Sequence, residues 1–225
     1  MEPPPLAVDI DGTLTDGTGA LDFRACSVVA DWPAPVVVAT GKSFPYPVSL
    51  CQFLGIPVRI IAENGGVVAV ADTDAVEFLG DRAAAQAVVE AYEAAGYDIG
   101  YAETDFANRW RETEVALSRS APLEPLTELA EEHGLEVIDT GYAYHVKDPA
   151  MSKGAALSVV AEELGTEPSA FVAVGDSQND ASTFEVAGDA VAVANADDAA
   201  RAAADRITDA GYGDGFREAV DRYRQ

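Results

Sequence analysis

Five apolar, β-rich runs constrain this fold most: LAVDIDG at 6–12, PVVVATGK at 35–42, PVRIIAENGG at 57–66, FVAVGDSQND at 171–180 and AVAVAN at 190–195. Continuous apolar runs of this length suit parallel strands covered on both faces. Helical stretches alternate with them: PVSLCQFLG, KGAALSVVAEELG, DASTFEVAG and DDAARAAADRI. The alternation predicts an α/β fold, a doubly wound, Rossmann-like parallel sheet. Residues 73–148 read differently. An alanine-rich helix, DRAAAQAVVEAYEAAG, precedes alternating RETEVALS, a helix from PLEPLTELAEEHG, and LEVIDTG with YAYHVKD as an antiparallel pair. The expected organisation is therefore a core of residues 1–72 and 149–225 carrying a small α+β insert at 73–148.

At 225 residues and 48% hydrophobic content, the chain can bury a sizeable core. Its 39 Asp and Glu outnumber 14 Lys and Arg, for a formal net charge of −25. Such a surface repels phosphate backbones and anionic lipid, which argues against nucleic-acid and membrane partners. Acidity with a normal apolar content points away from disorder and towards a surface adapted to a salt-rich cytosol, where screening relieves self-repulsion. No run approaches the roughly 18 to 20 apolar residues of a membrane span. The start, MEPPPLAVD, lacks a basic segment followed by an apolar one, so a cytoplasmic location is expected. Cys26 and Cys51 form no metal-ligand cluster and are expected as free thiols, with a single disulfide as the alternative. A homodimer stays open.

Ligands of open α/β sheets bind outside the carboxyl ends of the strands. Asp9 and Asp11 close the first run two residues apart, which places them on one face of extended backbone, with Gly12 allowing a close turn. Two carboxylates so near each other call for a cation or a shared proton, although an Asp ending a strand also serves as a turn residue or cap. Thr40 and Gly41 end the second run and can offer a hydroxyl and a backbone N–H to phosphate, or simply cap a helix. Lysine occurs only at 42, 147 and 153. Lys42 and Lys147 read as solvated, whereas Lys153 opens a helix, where a cation opposes the dipole, and so suggests a charge facing a phosphoryl group. Asp176 ends the fourth run and Asp180 falls in the next first turn. Read alone they are a cap and a first-turn acid; read with Asp9 and Asp11, four carboxylates converge and suit Mg²⁺.

The sequences DIDGT, ATGK, SKG and GDSQND, in that order, resemble the four motifs of the haloacid dehalogenase superfamily of phosphotransferases. The insert between the second and third is similar to the α+β cap of one subclass, AENGG at 62–66 is similar to the segment before that cap, and its short length resembles archaeal-type phosphoglycolate phosphatases. The resemblance implies an Mg²⁺-dependent phosphatase. Asp9 would be nucleophile and metal ligand, and Asp11 general acid and base with its carbonyl on the metal. Thr40, Gly41 and Lys153 would hold the phosphate. Asn179 would position the phosphate or Lys153, and Asp176 and Asp180 would complete the metal site. It also implies a small phosphorylated metabolite as partner, 2-phosphoglycolate first, whose carboxylate needs a cation or backbone amides. Arg109, Arg111, Tyr144 and His145 are candidates, each with an ordinary structural alternative. A sugar-phosphate phosphatase, a phosphomutase and a non-enzymatic receiver module remain as alternatives.

Overall fold

The computed structural model describes residues 3–102 and 105–224. Met1 and Glu2, which open the stretch read for a leader, lie outside the described residues, as do Glu103 and Thr104 of the insert and Gln225. The chain begins with β1 (Leu6–Asp9), α1 (Phe23–Ala30), β2 (Val36–Ala39), α2 (Pro45–Leu54) and β3 (Arg59–Ala62), then turns through β4 (Val67–Val70) and β5 (Ala75–Phe78). The insert follows as α3 (Arg82–Ala94), β6 (Val115–Ser118), α4 (Leu123–Glu132), β7 (Glu136–Asp139) and β8 (Ala143–Lys147). The chain returns with α5 (Lys153–Glu163), β9 (Val172–Gly175), α6 (Ala181–Val186), β10 (Asp189–Ala192), α7 (Asp198–Ala203), β11 (Arg206–Ile207) and α8 (Tyr212–Asp221). Among the described residues no helix is long and apolar enough to cross a membrane.

The core sheet has the order β11-β10-β9-β1-β2-β3-β4-β5. All five runs read as strands pair in parallel. The chain leaves β1 towards β2 and β3 and later returns to β9 on the other side, so the order reverses beside β1 and opens a crevice at the strand ends. Alternation along each strand feeds two layers. Leu6, Val8, Val36 and Val38 pack beneath α1, α2 and α8, with Val29, Leu50 and Phe216. Ala7, Val37 and Ala39 pack beneath α5, α6 and α7, with Leu157, Val160 and Phe184. Each large side chain buried this way contributes about 1.5 to 3 kcal/mol. The next residue on the α5 side after Ala7 is Asp9, which period two aims at the start of α5.

Three features depart from the sequence reading. Ala75–Phe78, expected in the insert, pairs antiparallel with β4, so the core sheet runs on to Phe78. Asn64 and Gly65, both at positive φ, reverse the chain after β3 and make that hairpin available. Helices α1 and α8 are new, because Val28-Val29 and the glycines at 213 and 215 weaken a helical pattern. Lys147, expected to be solvated, is buried: its ammonium donates to Glu136 at 2.5 Å and to the carbonyls of Met151 at 2.6 Å and Asp148 at 3.1 Å. Cys26 and Cys51 are free and buried.

The insert is a three-stranded antiparallel sheet, β6-β8-β7, with α3 and α4 on one face. LEVIDTG and YAYHVKD pair as expected. Alternation along β8 sends Tyr144 and Val146 into the cluster under those helices. Ala143 and His145 therefore take the opposite face, which closes over the strand ends of the core.

Candidate active site

Asp9 is the last residue of β1, and the chain turns at once. Lys153 is the first residue of α5, entered through a Ser152 cap that accepts from the Ala155 N–H. This places a wholly buried ammonium between two carboxylates, 2.7 Å from Asp9 Oδ1 and 2.7 Å from Asp180 Oδ1. The other Asp180 oxygen accepts the backbone N–H groups of Asp176 at 3.0 Å and Ser177 at 3.1 Å, folding the DSQND turn around itself. Carboxylate oxygens of Asp9, Asp176 and Asp180 lie within 4.8 Å of one another.

Three acids so close are mutually unfavourable. Burial and the Asp180 charge outweigh the Lys153 ammonium at Asp9 and push that carboxyl up to about 8. Burial, then Asp9 and Asp180, push Asp176 up to about 9. Burial disfavours the Lys153 ammonium too, but Asp180 and Asp9 more than offset this and hold it charged above the ordinary lysine range. Asp176 Oδ1 is buried without a hydrogen-bond partner among the described residues. A divalent cation fits these observations: it would satisfy the orphaned oxygen and relieve the crowded charge, with hard oxygen donors of the kind Mg²⁺ takes.

Asp11 corrects the expectation of four converging carboxylates. The strand ends at Asp9, Asp11 lies in the turn, and its carboxylate pairs with Lys42 Nζ at 3.0 Å, outside the cluster. Asp9, Asp11, Gly41, Lys42 and Asn179 line a cleft of about 190 Å³, roofed by Arg111, Tyr142 and His145 of the insert. Lys42, read as solvated, is half-exposed at its rim. Thr40 is wholly buried at the end of β2, its hydroxyl accepting the Lys42 N–H at 3.1 Å.

Asn179 does not touch Lys153 in the described contacts. Its amide donates to Asn64 Oδ1 at 2.9 Å, and Asn64 in turn donates to both oxygens of Glu114, at 3.1 and 2.9 Å. Glu63 beside it accepts the Glu112 and Thr113 N–H groups and the Thr113 hydroxyl at 2.8 to 3.0 Å. Glu63 and Asn64, at φ 53° and 56°, thus bolt the insert to the core, a conformation costly for residues other than glycine. Glu63, Asn64 and Glu114 carry no role in the sequence reading; the available signals are the turn chemistry of NGG and the likeness of AENGG to the segment before the cap, and neither reaches Glu114. Tyr144 packs and Arg109 is exposed.

Gly12 adopts φ +80°, and a Cβ there would lie 2.0 Å from Asp176 Oδ2. Gly12→Ala is therefore expected to displace Asp176, lowering kcat/KM about 100-fold or more and weakening Mg²⁺ stabilisation in a thermal melt. Near wild-type values for both would contradict the placement of Asp176.

A family model described as haloacid dehalogenase-like hydrolase matches residues 126–220. A Haloarcula marismortui protein named phosphoglycolate phosphatase is 58% identical over 221 residues, which cover 98% of this chain and 97% of that protein. One of the same name from Natronomonas pharaonis is 57% identical over 220 residues, covering 98% and 97%. The crystal structure of a Thermoplasma acidophilum protein superposes with TM-score 0.83 at 23% identity, covering 100% of this chain and 99% of its own, a likeness of fold.

Proposed function

Because the chain belongs to the haloacid dehalogenase-like hydrolases and is a phosphatase, we propose that it hydrolyses 2-phosphoglycolate through a covalent intermediate on Asp9. The observation that carries the mechanism is the Asp9 carboxylate held at 2.7 Å by a buried lysine and open to a small cleft. The relatives' shared name supports the substrate, as does a cleft of about 190 Å³, below the roughly 300 Å³ at which pockets for drug-sized ligands begin.

In the first half-reaction an Asp9 oxygen attacks phosphorus, and the phosphorus–oxygen ester bond breaks. The departing alkoxide takes a proton from Asp11, which lines the cleft. Asp11 then accepts a proton from water as that water attacks the phosphoaspartate, releasing phosphate and restoring Asp9. Lys153 fixes the attacking carboxylate and opposes the gathering negative charge. Just beyond β2, Gly41 in the cleft lining and Thr40 beside it would hold the phosphate, and Asn179 is oriented for the same task by Asn64. Asp9, Asp176, Asp180 and the Asp11 carbonyl would hold Mg²⁺, which when bound supplies positive charge against the phosphate oxygens. The core carries the chemistry, and the insert from α3 to β8 shields it from water. The net charge of −25 suits a cytoplasmic enzyme working at high salt.

A panel of phosphate esters assayed with Mg²⁺ in molar KCl tests the reading: 2-phosphoglycolate is expected to lead sugar phosphates, with activity lost on chelation. Equal or better turnover of sugar phosphates would overturn the substrate. The metal has a thermodynamic signature as well. Asp9 and Asp176 take up protons on folding, since their carboxyls rise from 3.8 to about 8 and 9. The metal-free protein therefore loses stability as pH climbs through that window. Mg²⁺ displaces those protons, so its increment in melting temperature is expected to grow from pH 6 to pH 9. A constant increment would contradict the assignment.

A further inference from the structure

Two nitrogen-bearing side chains of the insert face the cleft, and the mechanism above uses neither. With 14 Lys and Arg and two His in a chain of net charge −25, nitrogen donors gathered at one site need a reason. Arg111 and His145 both line the cleft. Glu114 stands behind them, wholly buried and not part of the lining; it accepts from Arg111 Nη1 and, at 2.8 Å, from His145 Nδ1. Burial would raise the Glu114 carboxyl, but His145 and Arg111 hold it down to about 2. The negative charge is thus at the back and the N–H edges are at the front.

Arg111 is fixed more tightly than a surface ion pair requires. Its side chain is 7% exposed, Nε donates to the Ala107 carbonyl at 2.9 Å, and Nη1 donates to the Gly41 carbonyl at 3.0 Å. Nη2 has no hydrogen-bond partner among the described residues, which leaves its N–H groups free for a ligand. Contact with Gly41 matters most, because Gly41 stands at the phosphate end of the cleft. A ligand gripped there has its other end within a short reach of the guanidinium. The His145 ring continues this edge, with Nε2 3.4 Å from the Thr140 hydroxyl, itself in the lining. A planar fork with spare donors matches a carboxylate.

We propose that Arg111, with His145 beside it, is the subsite for a carboxylate that the substrate carries close to its phosphate, and that Glu114 is the positioning residue holding both. The proposal rests on the phosphate-ester reading of the cleft and adds the group that selects among esters.

The test compares 2-phosphoglycolate with 2-hydroxyethyl phosphate, which replaces the carboxylate by a neutral carbinol, in molar KCl with Mg²⁺. Wild type is expected to favour the carboxylate ester in kcat/KM by about 30-fold or more, the scale of a charge-assisted contact. Arg111→Ala brings that ratio within about threefold of unity, chiefly through KM for 2-phosphoglycolate. Arg111→Lys, which keeps charge but loses the fork, is intermediate. Glu114→Gln raises KM for 2-phosphoglycolate more than it lowers kcat, and Arg109→Ala keeps the wild-type ratio. Calorimetric binding of 3-phosphonopropionate against propylphosphonate reads the same preference without turnover. Should Arg111→Ala fail to fold, the ratio in Arg111→Lys must still shift about fivefold for the subsite to stand. An unchanged ratio in the Arg111 variants, or a fall on both esters by one factor, overturns the subsite. So does a wild type that hydrolyses both esters alike, which leaves the phosphatase mechanism intact. A wild type that hydrolyses neither ester yet prefers the carboxyphosphonate sinks the functional reading and supports the subsite.

Discussion

Asp9→Asn is expected to lower kcat by about 10⁴-fold or more while leaving the circular dichroism spectrum and the unfolding midpoint close to wild type. The size of the loss follows from the role: an amide cannot supply the attacking oxygen, and removing a covalent nucleophile costs on the order of 10⁴ to 10⁶. The fold survives because Asn matches Asp in volume, and Lys153 keeps its 2.7 Å contact with Asp180. The substitution also removes one of three crowded acids, so the metal-free variant should lose less stability than wild type as pH rises from 6 to 9. Substantial turnover by a pure variant would exclude Asp9 as the nucleophile.

Lys153→Ala is expected to damage both activity and stability. The ammonium is wholly buried and is the cation bonded to Asp9 and Asp180, which are 5% and 3% exposed. Deleting one partner of a buried ion pair leaves uncompensated charge and costs about 3 to 5 kcal/mol, read from denaturant unfolding in high KCl. The penalty should be smaller near pH 5 than near pH 8, because burial already pushes the Asp9 carboxyl up to about 8, so at pH 5 it can hold a proton. Turnover should fall about 10³-fold, the scale of losing an electrostatic donor at the reacting centre. Lys153→Arg should not rescue it, since a bulkier guanidinium would replace an ammonium that is wholly buried and held at 2.7 Å by two carboxylates. A Lys153→Ala protein as stable as wild type at pH 8 would contradict this account of the buried network.

The core was legible because its signals are local and redundant. LAVD, VVVA and VAVG are built of apolar residues for both faces, and a polar residue closes or follows each: Asp9, Thr40 and Asp176. That pattern specifies both the sheet and the side on which polar groups emerge. The meeting of Asp9, Asp176 and Asp180, with Lys153 bonded to the first and last, follows from strand adjacency, β9 beside β1, with α5 packed over Asp9. Asp11 lines the cleft but not the carboxylate cluster, because a single turn residue decides whether a side chain continues the strand face or leaves it. Asp11 leaves it for Lys42.

The junction was invisible for a different reason. Glu114 and Asn64 are 50 residues apart, and no periodicity links a buried carboxylate in the insert to an amide in a core turn. Lys147 misled in the same way: three acceptors from β7 and the loop before α5 bury an ammonium that composition places in solvent. His145 and Tyr144 were equal candidates in YAYHVKD. Only the register of β8 separates them, sending Tyr144 into the insert's own core and His145 to the cleft.

The central claim is that Asp9 forms a bond to phosphorus. Acid quenching during steady-state turnover, followed by borohydride reduction and peptide mass spectrometry, tests it directly, because reduction of a phosphoaspartate leaves homoserine at that position. Homoserine at residue 9, present with substrate and absent without it, is the predicted result. Phosphate release with residue 9 recovered only as aspartate, or homoserine at another position, would contradict the account.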